Sequence, residues 1–170
     1  MSIDKYLMKF DFNEIHQIAI NGSPAAIYSI IKEVDFTKSW IIKLLFSLRR
    51  LPKEMNNLSG FISVGFMLLE EKQNEEIVLG FLGNIRGLHT ISPTEFQTFN
   101  QKGHVMCAWN FSLSKLDRNR TSLSTETRVF CTDKKARFIF SLYWFIISSF
   151  SALTRKIMLK LIKEEVELKS

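Results

Sequence analysis

The chain has 170 residues, enough for one domain with a sizeable core and no need of metal or disulfide staples. Hydrophobic residues make up 46% and aromatics 12%, with 15 phenylalanines, which excludes a disordered chain. The net charge of +6 is scattered, with Lys/Arg pairs only at Arg49-Arg50, Lys134-Lys135 and Arg155-Lys156, so it marks a solvated surface rather than a track for nucleic acid.

In chain order, residues 13–20 alternate as a strand, with Ile15, Gln17 and Ala19 on one face and His16, Ile18 and Ile20 on the other. The charged start, with Asp4, Lys5 and Lys9, lacks the apolar region of a signal peptide, so a cytoplasmic address is expected. Asn21-Gly22 turns the strand, and Ser23-Pro24 then opens a helix, because a Ser hydroxyl accepts an unpaired helical N–H and Pro at the first position needs none. That helix carries Ala26, Ile27, Ile30, Ile31 and Val34 at helical spacing and ends near Asp35. A second helix is expected over about residues 39–51, stopped by Pro52.

After Gly60, runs at 61–70, 77–82 and 85–91 read as a strand meander. Ser92-Pro93-Thr94-Glu95 is a capping box, which favours a short helical turn through Phe99. The clearest hairpin joins residues 104–116 to 121–131 across a polar loop. Val105, Cys107, Trp109, Phe111 and Leu113 share a face of its first strand. Cys107 and Cys131, on its two strands, are read as small buried hydrophobes rather than a disulfide. From about Asp133 to Glu167 neither Gly nor Pro interrupts a pattern of helix formers, so one long helix closes the chain. No repeat or linker intervenes, and residues 1–170 read as a single domain.

Within the last helix, Phe138 to Leu153 carries no charge. These 16 residues include Ser141, Ser148, Ser149 and Ser151 and fall short of the roughly 20 apolar residues of a membrane span. The expectation is that the protein's own sheet buries this stretch, with the charged end from Arg155 onward projecting past it.

The order strand, two helices, antiparallel meander and long C-terminal helix resembles the helix-grip fold of the SRPBCC superfamily, which includes START lipid-transfer domains and polyketide cyclase/dehydrase-like proteins. The strings HQIAINGSPAAIYSIIKEVD at 16–35, TSLSTETRV at 121–129 and ARFIFSLYW at 136–144 resemble the bacterial branch. The resemblance implies an α+β fold in which a curved antiparallel sheet of about six to seven strands wraps the C-terminal helix. It also implies an apolar cavity between them for a lipid, polyketide or similar molecule, without implying a reaction. The segment at 92–100 departs from that pattern if helical, and so does Ser148-Ser149-Phe150-Ser151, where related sequences often have Pro or Gly.

Candidate cavity residues are Trp40, Arg86, His89, Trp109, Glu126, Arg128, Tyr143 and Trp144. Trp109, Tyr143 and Trp144 could line the space or fill it. Glu126 and Arg128, two apart on one strand face, could pair with each other or orient a ligand head; facing outward, they would be structural. Arg86 and His89 stand near a turn, where a histidine could act as acid or base. Trp40 belongs to a second helix with Ile41, Leu44, Leu45 and Leu48 beside Lys43, Arg49 and Arg50, the composition of a cavity lid or of a basic surface that touches lipid.

The histidines at 16, 89 and 104 read as isolated, and no metal motif, nucleophile elbow or phosphate loop is present. No catalytic residue, metal or cofactor is therefore assigned. Three functions follow as expectations: a carrier or sensor of a hydrophobic small molecule, a cyclase/dehydrase-type enzyme working through Arg86, Glu126 or Arg128, and a peripheral protein in transient membrane contact. The ligand and the oligomeric state are not fixed by the sequence.

Overall fold

A computed structural model describes residues 2–48, 51–84 and 86–169, which leaves Arg49 and Arg50 outside the described residues. Its elements are α1 (Ile3–Tyr6), β1 (Phe12–Asn21), α2 (Pro24–Glu33), α3 (Trp40–Leu48), α4 (Leu58–Ser63), β2 (Met67–Lys72), β3 (Glu76–Asn84), β4 (Gly87–His89), α5 (Pro93–Thr98), β5 (Val105–Lys115), β6 (Arg120–Cys131) and α6 (Lys134–Lys169). The six strands form one antiparallel sheet in the order β1-β6-β5-β3-β2, with β4 paired to β3. With α6 laid along one face, this is a helix-grip architecture, as the resemblance implied.

Local chemistry sets the boundaries. The Ser23 hydroxyl accepts from the Ala26 N–H, and Ser92 and Glu95 form the complete capping box, so 93–98 is helical. Asn57 caps α4, which occupies the first part of the run at 61–70 and leaves only β2 as strand. The short α1 had no periodic signal in the sequence. Gly22 lets the end of β1 approach α6, since a Cβ there would lie 2.8 Å from Val166 Cγ1.

Two cores flank the sheet. The inner one joins Ile20 of β1, Leu79 of β3, Trp109 and Phe111 of β5 and Leu123 of β6 to α2, to Phe61 of α4, and to Met158, Leu159, Ile162 and Val166 of α6. The outer one packs Val78, Leu82, Met106 and Ala108 beneath Ile3 and Tyr6 of α1 and Phe96 of α5. A sheet covered on both faces explains why β3 is buried along almost its whole length instead of alternating.

Helix α6 spans 36 residues, and the sheet holds its second half, not its first. The expected burial of Phe138 to Leu153 is therefore corrected: Phe138, Ile139, Leu142, Tyr143, Phe145, Ile146, Phe150 and Leu153 are all exposed. The physical reason lies in the path of the helix. The inner face beside 154–166 is already filled by aromatic and aliphatic side chains, and the first half touches the edge strand β1 through Phe140 and Trp144, whose rings lie 5.3 and 5.7 Å from Phe12.

Candidate functional site

The first candidate feature is the exposed apolar face of α6. Phe145 is 87% exposed and Ile146 65%, although both sit in a helix whose other end is core. The face is bracketed by Lys134, Lys135 and Arg137 at one end and by Lys156 and Lys160 at the other, all exposed.

Helix α3 runs beside α6 in the opposite sense. Lys38, just before α3, pairs with Glu165 at 2.5 Å, while Phe46 near its end packs edge-to-face with Phe61, which packs edge-to-face with Trp109 beneath Arg155. Trp40, Leu44 and Leu48 of α3 are exposed, so its apolar residues continue beyond the core as well. Trp40 accordingly lines no enclosed space.

Beneath α6, the interior is occupied. Trp109 is 1% exposed, its ring N–H donates to Thr125 Oγ1 at 2.7 Å, and Phe61, Phe66 and Phe111 surround it at 5.2, 6.5 and 5.1 Å. The Arg155 guanidinium lies 3.7 Å over the same ring, a cation–π contact that fixes α6 over the middle of the sheet. Trp109 therefore fills the core rather than lining a ligand space. Two open depressions lie on the surface: one is lined by Lys5, Glu70, Glu75 and Glu76, the other by Ile30, Glu33, Val34, Lys38 and Glu165.

Glu126 and Arg128 lie on the face of the sheet away from α6, but they do not meet solvent. Arg128 donates from Nε to Glu126 Oε1 at 2.6 Å and from Nη1 to Asp4 at 2.7 Å and to the Leu7 carbonyl at 3.0 Å. Asn110 donates to Glu76 at 2.6 Å and accepts from the Glu126 N–H at 2.8 Å, while the Ser2 N–H donates to the other Glu76 oxygen. The sequence left these side chains to point inward to a ligand or outward to water. The covering helix α1 makes them a buried clasp instead.

Arg86 is exposed at the β3–β4 turn, where its N–H donates to Asn84 Oδ1. None of Arg86, Glu126 and Arg128 faces the space beneath α6, so a carbonyl-polarising role there for these three has no geometric basis. His89 is half-buried on β4 with its ring 5.5 Å from His104, and its Nε2 is buried without a partner among the described residues. His104 Nδ1 lies 3.0 Å from the Lys102 carbonyl, to which it donates, and its Nε2 lies 3.1 Å from the Asn84 amide nitrogen. Tyr143 is exposed, with its ring 5.6 Å from Phe140 of the same helix, and Trp144 is half-buried against Phe12 in the seam between α6 and β1.

The histidines are not isolated, which corrects the sequence expectation. His16 Nε2 lies 2.6 Å from Glu14 Oε1, both side chains are mostly buried, and Glu14 Oε2 is buried with no partner among the described residues. The signal was legible: His16 shares its face with Ile18 and Ile20, and Glu14 stands two residues earlier on that face. Among the described residues no cluster suited to a metal ion occurs. Cys107 and Cys131 are free and buried, and burial pushes both thiols up to about 12, so neither is a nucleophile at neutral pH.

No family model and no curated protein matches the sequence. Among solved structures, a conserved protein from Geobacillus kaustophilus is similar at 12% identity, with 92% of this chain and 95% of that one covered, and a TM-score of 0.48. The Zhui aromatase/cyclase from Streptomyces sp. R1128 is similar at 12% identity, 92% and 93% coverage and a TM-score of 0.33. Norcoclaurine synthase from Thalictrum flavum follows at 8% identity, 89% and 86% coverage and a TM-score of 0.34. The helix-grip assignment stands on the chain's own strand order and register.

Proposed function

We propose that this protein binds hydrophobic molecules at a membrane surface, with the apolar first half of α6, assisted by α3, lying in the boundary between lipid head groups and acyl chains. One observation carries the proposal: eight large apolar side chains between Phe138 and Leu153 are exposed on a helix that the fold otherwise grips. A solvent-exposed apolar face of this extent is costly unless another apolar phase covers it. The basic residues at both of its ends complement anionic lipid, each contributing about 1 kcal/mol near such a surface.

Insertion across the bilayer fits less well, although α6 is long and apolar enough for it by length and composition. The uncharged stretch measures about 24 Å against a hydrocarbon core of about 30 Å. Crossing would also tear Phe140 and Trp144 from Phe12. The hydrophobic cargo is then a lipid-phase molecule met at this surface, in a cytoplasmic protein with reduced cysteines, rather than one sealed under Trp109.

Sedimentation with phosphatidylglycerol vesicles tests the proposal. The protein is expected to co-sediment at low salt and to be released in part at high salt, where the roughly 10 Å screening length shrinks. Phe145→Glu, at a site with no buried contact to lose, should weaken binding at least about tenfold while the melting temperature holds. Absence of co-sedimentation overturns the proposal. So does a dimer that Phe145→Glu dissociates, which would assign the face to a second copy of the chain.

A further inference from the structure

Strand β1 is an edge of the sheet, paired with β6 alone among the described strands. Its backbone groups point alternately toward β6 and away from it. The Ala19 carbonyl accepts from Lys163 Nζ at 3.1 Å and the Asn21 N–H donates to Glu167, both of α6, whereas the Gly22 N–H donates to the Asn119 carbonyl on the β6 side. By the two-residue period, Asn13, Ile15 and Gln17 also turn their N–H and C=O groups away from β6. Those groups have no partner among the described residues, and the three side chains are exposed, Ile15 by 56%. Helix α6 thus closes the edge at Ala19 and Asn21 and leaves it open from Phe12 to Ile18. It leans over the sheet rather than past its edge, with Arg155 above Trp109 of β5, two strands in.

The two edges of the sheet are guarded differently. Strand β2 is six residues long, slips register between Leu68 and Glu70, and carries Glu70, Glu71 and Lys72, with Lys5 of α1 and Lys32 of α2 paired to the two glutamates. A short, bulged and charged edge discourages a further strand. Strand β1 runs ten residues in unbroken register without Lys, Arg or Pro, and its one charged side chain, Glu14, is held by His16 at 2.6 Å. Such an edge is a template for another strand. Which strand fits follows from the open part itself, because it is chemically palindromic about Ile15. Against an antiparallel second copy centred there, Phe12 stands opposite Ile18, Asn13 opposite Gln17, Glu14 opposite His16 and Ile15 opposite itself. Apolar meets apolar, amide meets amide, and each carboxylate meets an imidazole rather than another carboxylate.

We propose that the protein forms a two-fold dimer by antiparallel pairing of β1 with β1 of a second copy, centred on Ile15. The pairing joins two sheets into one and adds about six main-chain hydrogen bonds, exchanged between Asn13 and Gln17 and between the two Ile15 residues. The axis stands perpendicular to the sheet, so both α6 helices lie on the same face. Their exposed apolar stretches then meet one surface together, which on the membrane reading makes docking bivalent. The dimer itself stands without that reading.

Analytical ultracentrifugation of the full chain at micromolar concentration is expected to give twice the 19.8 kDa chain mass. Ile15→Lys sets two ammonium groups against each other across the axis and should weaken the dimer about fivefold or more. Gln17→Pro should weaken it about tenfold or more, because the N–H it removes points to the free edge and the ladder to β6 stays whole. Ile15→Cys should crosslink under mild oxidation, since the two Cα atoms face each other at about 5.5 Å, within disulfide reach. Ala19→Cys, also at an exposed position, should not. A monomer at every concentration, a dimer unchanged in both Ile15→Lys and Gln17→Pro, or equal crosslinking by the two cysteine variants overturns the proposal. Vesicle sedimentation is scored separately: a dimer that stays in the supernatant overturns only the membrane reading, and a monomer that co-sediments overturns only the dimer.

Discussion

Arg128 holds three partners at once, and two of them, Asp4 and Leu7, come from a segment more than a hundred residues away in sequence. Its side chain is only 10% exposed and that of Glu126 5%, so each ion depends on the other for the solvation it lost on folding. Arg128→Met should cost about 3–5 kcal/mol in urea unfolding, because it leaves the Glu126 carboxylate buried and unpaired. Arg128→Met with Glu126→Gln should recover a large part of that loss, since a neutral amide is far cheaper to bury than an ion. Equal destabilisation in the single and double variants would show that the clasp acts through shape and not through charge.

Helix α6 joins two different chemistries in one element. Its second half is amphipathic in the ordinary sense, with Met158, Leu159, Ile162 and Val166 inside and Lys156, Lys160 and Glu164 outside. Its first half is apolar on the outside too. Ile162, fully buried, should cost about 2–5 kcal/mol as Ile162→Ala, whereas Phe145→Ala should change stability by no more than about 0.5 kcal/mol. Chemical denaturation of the two variants decides whether the halves differ as described.

This contrast also explains what was legible in the sequence. The capped α2, the capping box of α5, the long hairpin and the final helix follow from local rules that residues such as Ser23, Ser92 and Glu95 obey by themselves. The covering of Phe138 to Leu153 is not legible, because an apolar stretch looks alike whether protein or lipid surrounds it. Trp109 was placed on the correct face, but alternation cannot tell a filled core from a hollow one. Glu126 and Arg128 escaped because α1, too short for periodicity, turns an outer face into an interior.

Over the whole molecule, ion pairs of long sequence separation tie the peripheral elements to the sheet and to α6. Lys5 and Glu70 link α1 to β2, Lys32 and Glu71 link α2 to β2, Lys38 and Glu165 link the approach to α3 with α6, and Asp4 reaches Arg128. Asp4 is held below the usual carboxylate range chiefly by the hydrogen bond from Arg128, Glu71 by those from Tyr28 and Lys32, and Glu165 by that from Lys38. A carboxyl with a lowered folded-state pKa stabilises the fold fully above its unfolded value, near 4, and loses that contribution as pH falls toward the folded value. Stability should therefore be level from pH 7 to about 5 and decline below it, by small steps because these partners are partly exposed and screened. Urea midpoints measured across this range should fall less steeply in Glu71→Gln, which has no carboxyl left to protonate at that link. The decline should also flatten in high salt, which weakens the exposed pairs before acid does. A midpoint that stays constant down to pH 3 would mean that the two cores hold the peripheral helices without help from these charges.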